Sequence, residues 1–376
     1  MRTSARFKRS TGIRFFRRTL KNLPQFRSLP EKASYSILVA AVSIAFTSVP
    51  PIYAHPGMHS GDSRILPLGA KLKKLFDGGF FTEGAAVAPD GAVYFSDITF
   101  TYQTDMQAGH IWKYDPKTGN TTIFRSPSGM SNGIKFDAEC RMIVAEGADF
   151  GGRRVTRTDM VTGKSTIIAG LYDGRPFNSP NDITIDEKGR IYFSDPRYLG
   201  HEPVDQPVMG VYRIDTDGSV HRIITDAGKP NGVAVSPDQK TLYVVCHDNG
   251  LIRLDRIPDG APVRKGRMAL LAYDLAPDGT AAFRKTLVDY YPEFGPDGLV
   301  VDVDGNLYVA ERSHKRPGIS VRSPEGKELE FIRTAPDLPT NVAFGRGAAR
   351  KTLYITAGKS LYKINLMKEG YHLPSN

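Results

Sequence analysis

The chain has 376 residues, of which 37 are Gly and 26 Pro, a composition that suits a β-fold with many turns and argues against a helical one. Its net charge of +10 is concentrated at one end: residues 1–32 hold ten Lys or Arg against a single acid, Glu31, and the remainder is close to neutral. A nucleic-acid-binding domain needs a basic face on its folded part, and too little net charge is left to build one.

In chain order, residues 1–54 read as a basic n-region followed by a signal peptide. An uncharged stretch runs from Ala33 to Ala54, with its apolar centre at Ile37–Val49. That centre is shorter than the roughly 20 residues of a membrane span and matches a signal h-region. Pro50 and Pro51 end it, and Ile52-Tyr53-Ala54 offers a small residue before a cut at His55. The expectation is an exported chain, periplasmic or secreted, whose mature domain is 55–376 and carries no membrane span. An uncleaved anchor is the alternative, and Arg17-Arg18 is a loose twin-arginine signal. Cys140 and Cys246 lie 106 residues apart and read as two lone thiols rather than a bridge.

From residue 83 onward one pattern recurs six times: a polar residue pair, an alternating strand, a turn, then a second apolar strand. The copies begin Glu83-Gly84, Asn132-Gly133, Asn181-Asp182, Asn231-Gly232, Asp297-Gly298 and Asn341-Val342, at spacings of 49, 49, 50, 66 and 44 residues. Each copy reads as a hairpin, and in most a second pair of strands follows. Four strands per unit at a period near 50 indicate an all-β, six-bladed propeller. The long fourth gap is expected to hold a loop over Asn249–Arg267. The sixth copy lacks a fourth strand, and Ala70–Phe76 has no partner of its own. That segment is expected to supply the missing strand and close the ring, which removes an open sheet edge.

In such a ring the innermost strands line a central channel, and the residues opening them meet at one mouth. Here these are Glu83, Asn132, Asn181, Asn231, Asp297 and Asn341. Any one Asn-Gly or Asp-Gly pair is a turn former. The set of two carboxylates and four carboxamides is a site for a hard cation. Ca²⁺ takes such oxygens in a flexible shell; Mg²⁺ or Mn²⁺ accepts the same donors, whereas Zn²⁺ calls for His or Cys.

The motifs Phe81-Thr82-Glu83-Gly84, Phe177-Asn178-Ser179-Pro180-Asn181-Asp182, Tyr192-Phe193-Ser194-Asp195-Pro196, Asn231-Gly232-Val233-Ala234-Val235-Ser236-Pro237-Asp238 and Gly295-Pro296-Asp297-Gly298 follow one another over about residues 70–365. In that order the sequence resembles the gluconolactonase and regucalcin-like (senescence marker protein) hydrolases, with diisopropyl-fluorophosphatase more distant. The resemblance implies a six-bladed propeller with one cation at the channel mouth. It implies that Glu83, Asn181, Asn231 and Asp297 contact the metal or the metal-bound substrate, and that Asp297 is the catalytic carboxylate. Regucalcin-like members carry a substrate-binding Arg two residues before the third-blade Asn. Ser179 stands there in this chain, and Asn178–Asn181 is closer to the bacterial gluconolactonase branch.

The function expected is hydrolysis of a small-molecule lactone or related ester by a monomer holding one divalent cation. Asp297 would serve as general base or as nucleophile. Asn132, Asp182, Asp195 and His247 are the candidates for touching substrate, the last as a proton shuttle. Asp97, Glu146 and Glu311 end their second strands at positions comparable to Asp195. Two alternatives stay open: a non-catalytic metal-binding propeller that engages a ligand or partner, and a phosphotriesterase or arylesterase using the same metal and Asp297.

Overall fold

Each repeat folds into a hairpin because its apolar residues alternate on either side of a tight turn. In the third repeat the turn is Asp186-Glu187-Lys188-Gly189. Asp186 Oδ1 accepts hydrogen bonds from the backbone N–H groups of Lys188 (3.0 Å) and Arg190 (2.9 Å). Gly189 takes a φ of +79°, a conformation that only glycine adopts without strain. A computed structural model describes residues 64–106, 109–251 and 264–373. The expected targeting segment, 1–54, and its cleavage point lie outside these residues.

Six four-stranded antiparallel sheets follow one another along the chain. Blade 1 comprises Thr82–Val87, Val93–Asp97, His110–Tyr114 and Thr121–Arg125. Blade 2 comprises Ser131–Phe136, Met142–Glu146, Arg154–Thr158 and Ser165–Ala169. Blade 3 comprises Ile183–Ile185, Ile191–Asp195, Gly210–Ile214 and Val220–Ile224. Blade 4 comprises Pro230–Val235, Thr241–His247, Met268–Leu275 and Ala281–Asp289. Blade 5 comprises Pro296–Val301, Leu307–Glu311, Gly318–Arg322 and Glu328–Arg333. Blade 6 has three strands of its own, Pro339–Phe344, Thr352–Ala357 and Ser360–Asn365. Its fourth is Lys73–Phe76, which pairs antiparallel with Ser360–Asn365 through Lys73–Lys363, Lys74–Tyr362 and Phe76–Leu361. The expected closure is therefore present, with the strand confined to the end of the 70–76 segment. The long fourth gap falls between the second and third strands of blade 4, as the spacing suggests.

Burial explains why the ring holds. The inner and second strands are almost wholly buried, while the outermost strands are partly exposed. Hydrophobic clusters fill all six gaps between neighbouring blades. Ile143, Ile183, Phe193 and Tyr212 pack between blades 2 and 3, Tyr308, Ile319, Phe344 and Ile355 between blades 5 and 6, and Val87, Phe95, Tyr354 and Leu361 between blades 6 and 1. Each such side chain contributes about 1.5–3 kcal/mol by leaving water.

The chain after blade 6 folds under the ring. Gly370 N donates to Arg350 O at 3.0 Å and Tyr371 N to Val301 O at 3.1 Å. Tyr371 and His372 line a small cavity of about 80 Å³ together with Lys135 and Arg346. This is the far end of the channel from the Glu83 mouth. Among the described residues, no helix is long and apolar enough to cross a membrane.

Candidate active site at the channel mouth

The polar pairs that open the repeats stand where the inner strands depart from regular pairing. The register shifts between Glu83 and Ala86, Ser131 and Ile134, Pro230 and Val233, Pro296 and Leu299, and Pro339 and Asn341. Such bulges re-aim side chains and are frequent beside active sites. In blade 3 the regular strand begins only at Ile183, and Asn181 reaches its neighbour through a hydrogen bond from its N–H to Ser194 O, 2.9 Å. The mouth residues are thus held in irregular entries to the inner strands and are not their first residues.

Two further devices fix them. A glycine follows the mouth residue where the next blade presses close: a Cβ on Gly84 would lie 1.7 Å from Asn132 O, and one on Gly232 would lie 2.5 Å from Asp297 O. Close approach demands glycine at both positions, and a φ of +46° adds to the demand at Gly84. Serines of the second strands tie blade to blade, Ser96 Oγ donating to Asn132 O (2.7 Å) and Ser194 Oγ to Asn231 O (2.5 Å).

Glu83, Asn132, Asn181, Asn231, His247 and Asp297 all line one cavity of about 300 Å³. Glu83 and Asp297 are buried at its base. Burial, reinforced by the charge of Asp297, pushes the Glu83 carboxyl well above the usual carboxylate range. Burial likewise pushes Asp297 up to about 6, against the opposing pull of Arg312. Arg312 Nη1 lies 3.2 Å from Asp297 Oδ2 and also donates to Pro339 O at 3.2 Å. This arginine was not among the residues singled out from sequence. It directly follows Glu311, the acid that ends the second strand, and its only sequence signal is a cation one residue beyond that repeat position.

His247 has both nearby Nδ1 partners as carbonyls, Pro296 O at 2.8 Å and Gly295 O at 3.2 Å. A carbonyl can only accept, so Nδ1 carries the proton and Nε2 is left as a bare acceptor. Burial and the Arg312 charge hold the ring neutral, its pKa pushed down to about 4.

Asp182 and Asp195 do not line the cavity with the other candidates. Asp182 is buried within the channel, where Oδ2 accepts from Val233 N (3.0 Å) and Oδ1 from Asn341 Nδ2 (3.4 Å). Asn341 is turned the same way and accepts from Val342 N at 2.8 Å. Asp195 accepts the backbone N–H groups of Asn178 (2.8 Å) and Ser179 (2.7 Å), and so clamps the turn that delivers Asn181. Asp97 does the same for Phe80 and Phe81 ahead of Glu83. Glu146 and Glu311 are engaged by arginines, Arg154 at 2.7 Å and Arg322 at 2.7 Å. Asp97 and Asp195 thus anchor the segments that lead into the mouth; Asp182 and Asp195, expected to contact substrate, lie outside the cavity lining and hold other residues in place.

The donor chemistry fits a hard divalent cation. Two buried carboxylates are both pushed toward their neutral forms, a state that a nearby cation would reverse. Asn132 Oδ1 is buried and has no hydrogen-bond partner among the described residues, which leaves it open to a group bound in the cavity. Asn181 and Asn231 add carboxamides at the same base. Among the described residues no group of three His, Cys, Asp or Glu comes together, so any cation would depend on these amide oxygens as well as the acids.

Comparison with known proteins agrees with the geometry. Residues 81–359 match the family described as SMP-30/Gluconolactonase/LRE-like region. A gluconolactonase of Zymomonas mobilis is 28% identical over 302 residues, spanning 73% of this chain and 77% of its own. A lactonohydrolase of Aspergillus oryzae is 32% identical over 207 residues, 52% of this chain and 46% of its own. A solved gluconolactonase structure from Xanthomonas campestris superposes with a TM-score of 0.66 at 26% identity, covering 82% of this chain and 93% of that one. With its six blades and its matched span, the chain belongs to the SMP-30/gluconolactonase/LRE-like family.

Proposed function

We propose that this chain is a hydrolase that opens a lactone or closely related ester, with one divalent cation, Ca²⁺ ahead of Mg²⁺ or Mn²⁺, held by Glu83, Asn181, Asn231 and Asp297. The observation carrying this reading is the pair of buried acids, Glu83 and Asp297, at the base of a cavity whose only Lys or Arg, among the described residues, is Arg312. The similarity to enzymes named for lactone opening supports the choice of reaction.

Asp297 acts as the general base. Its carboxylate takes a proton from water as the water oxygen bonds to the acyl carbon. The ring C–O bond then breaks, and the same proton passes to the departing alkoxide, leaving a hydroxy acid. Arg312 favours the ionised form of Asp297 and orients it through the 3.2 Å contact. Bound at this site, a divalent cation would supply Lewis-acid polarisation of the acyl oxygen. Asn231 Nδ2 donates to Tyr198 OH at 3.1 Å, which leaves the amide oxygen of Asn231 for the site. His247 offers Nε2 as an acceptor toward the cavity and positions a hydroxyl or water there.

The test is acid release from a lactone panel by purified residues 55–376, with and without chelator. Turnover that is lost on chelation and restored by Ca²⁺ is the expected result. Turnover indifferent to chelation removes the cation from the reading, and tight cation binding without turnover on any lactone or ester favours a binding module.

A further inference from the structure

The cavity has two tiers of opposite character. Its floor is the polar ring of the inner strands. Its wall is apolar: Phe81, Phe100, Met130, Leu199, Leu251 and Phe294 line it. None of the six belongs to an inner strand; all lie in the connections that lead into or out of the strands of blades 1 to 5. Tyr102 and His314 also line the cavity, and three further polar groups at this height hold protein partners as acceptors. Ser179 Oγ accepts from Ala148 N at 3.0 Å. Asn249 Oδ1 accepts from Lys229 Nζ (3.3 Å) and Leu251 N (3.1 Å). Tyr198 OH accepts from Asn231 at 3.1 Å.

A polyhydroxylated lactone seated on this floor would press several hydroxyls against rings and alkyl chains. Each buried hydroxyl without a partner is costly, and sites that select polyols supply placed partners for them. An aryl or alkyl group in the same place gains from leaving water. We propose that the natural substrate class is a lactone or cyclic ester bearing an aromatic or alkyl substituent, which the wall holds while the ester lies on the floor. This inference rests on the hydrolase reading above and narrows it. The bonds made and broken are those given there; the substituent takes no part in them.

The experiment measures kcat/KM for glucono-δ-lactone and for a phenyl-substituted δ-valerolactone with the Ca²⁺-supplemented enzyme. The apolar lactone is expected to lead by at least about tenfold. Leu199→Asn and Leu251→Asn are each expected to cut that ratio several-fold, mainly by raising KM for the apolar lactone, with thermal unfolding confirming that the variants fold. A ratio near one, or a preference for the sugar lactone, overturns the inference and leaves the hydrolase reading intact. If neither lactone is turned over and the wider lactone and ester panel is inert as well, the hydrolase reading fails. The wall is then read by calorimetry with two unreactive lactams, one phenyl-substituted and one polyhydroxylated. Tighter binding of the phenyl lactam upholds an apolar ligand class, and equal or reversed binding overturns it.

Discussion

The two ends of the channel are built by the same six strands and have opposite chemistry. At one end Glu83 and Asp297 lie beneath a cavity of about 300 Å³. At the other, Lys135, Arg346 and His372 surround about 80 Å³, and the chain after blade 6 lies across it. Lys135 is only three residues beyond Asn132, so one short strand travels from the acidic end toward the basic one. Asp182 stands between and its charge favours the ionised form of Lys135, against the burial that lowers it. The irregular strand entries create room for chemistry at one end. Regular strands and a covering tail leave none at the other. Depth along an inner strand therefore separates the positions proposed to be reactive from the structural ones.

The sharpest way to break that asymmetry is Asp297→Asn. It removes the proposed base and should lower kcat by about 10²–10⁴-fold, with far-UV circular dichroism unchanged. Retention of more than about a tenth of the activity would remove Asp297 from the assigned role. Glu83→Gln comes next. Losing one charged ligand should weaken Ca²⁺ binding by about tenfold or more in a calorimetric titration. In chelator the same variant should unfold at a higher temperature than the parent, because a buried carboxyl that opposes Asp297 is gone.

A smaller effect follows from pH. Asp297 has a pKa near 6 in the cation-free fold and about 3.9 when unfolded. Between these values the native state binds more protons, so this group's contribution to stability is full below about pH 4 and falls as pH rises through 6. A cation bound by these acids would reverse the loss. The gain in melting temperature on adding Ca²⁺ should accordingly grow from pH 5 to pH 7.5, and a gain independent of pH would argue that these acids do not hold the ion. The smallest effect belongs to the basic end. Lys135→Met should leave kcat unchanged and shift stability by about 1 kcal/mol or less; a large loss of turnover would mean that the two ends are coupled.

Much of the architecture was legible because the repeat is self-similar. Six recurring polar pairs, the first four spaced by 49 or 50 residues, imply six equivalent strand entries, and the unpaired Ala70–Phe76 segment against an incomplete sixth copy implies the closing strand. The ring of mouth residues follows from that symmetry. Its direction does not. Asn181 and Asp182 are adjacent, yet one lines the cavity and the other bonds Val233 and Asn341 below it, because an irregular entry decides which neighbour faces which way. Asp195 looks like a free acid in sequence and is consumed by two backbone N–H groups. Arg312 was illegible for a related reason. The repeat position it follows, Glu311, is taken by Arg322, and only the folded ring shows that the next residue turns to Asp297. The apolar wall depends on connections that the repeat pattern does not describe.

The closing strand has a consequence for how the molecule is made. Lys73–Phe76 is the first strand of the domain and completes the last blade. Five sheets can form in order as the chain emerges, but the sixth waits for its final hairpin, Thr352–Ala357 with Ser360–Asn365, before the early strand has anything to pair with. Until then two edges stand unsatisfied, separated by nearly the whole length of the domain. Such edges are templates for pairing with another chain. Ring closure thus comes only at the end of synthesis, and a chain that has lost either edge is expected to aggregate rather than persist as a five-bladed fragment.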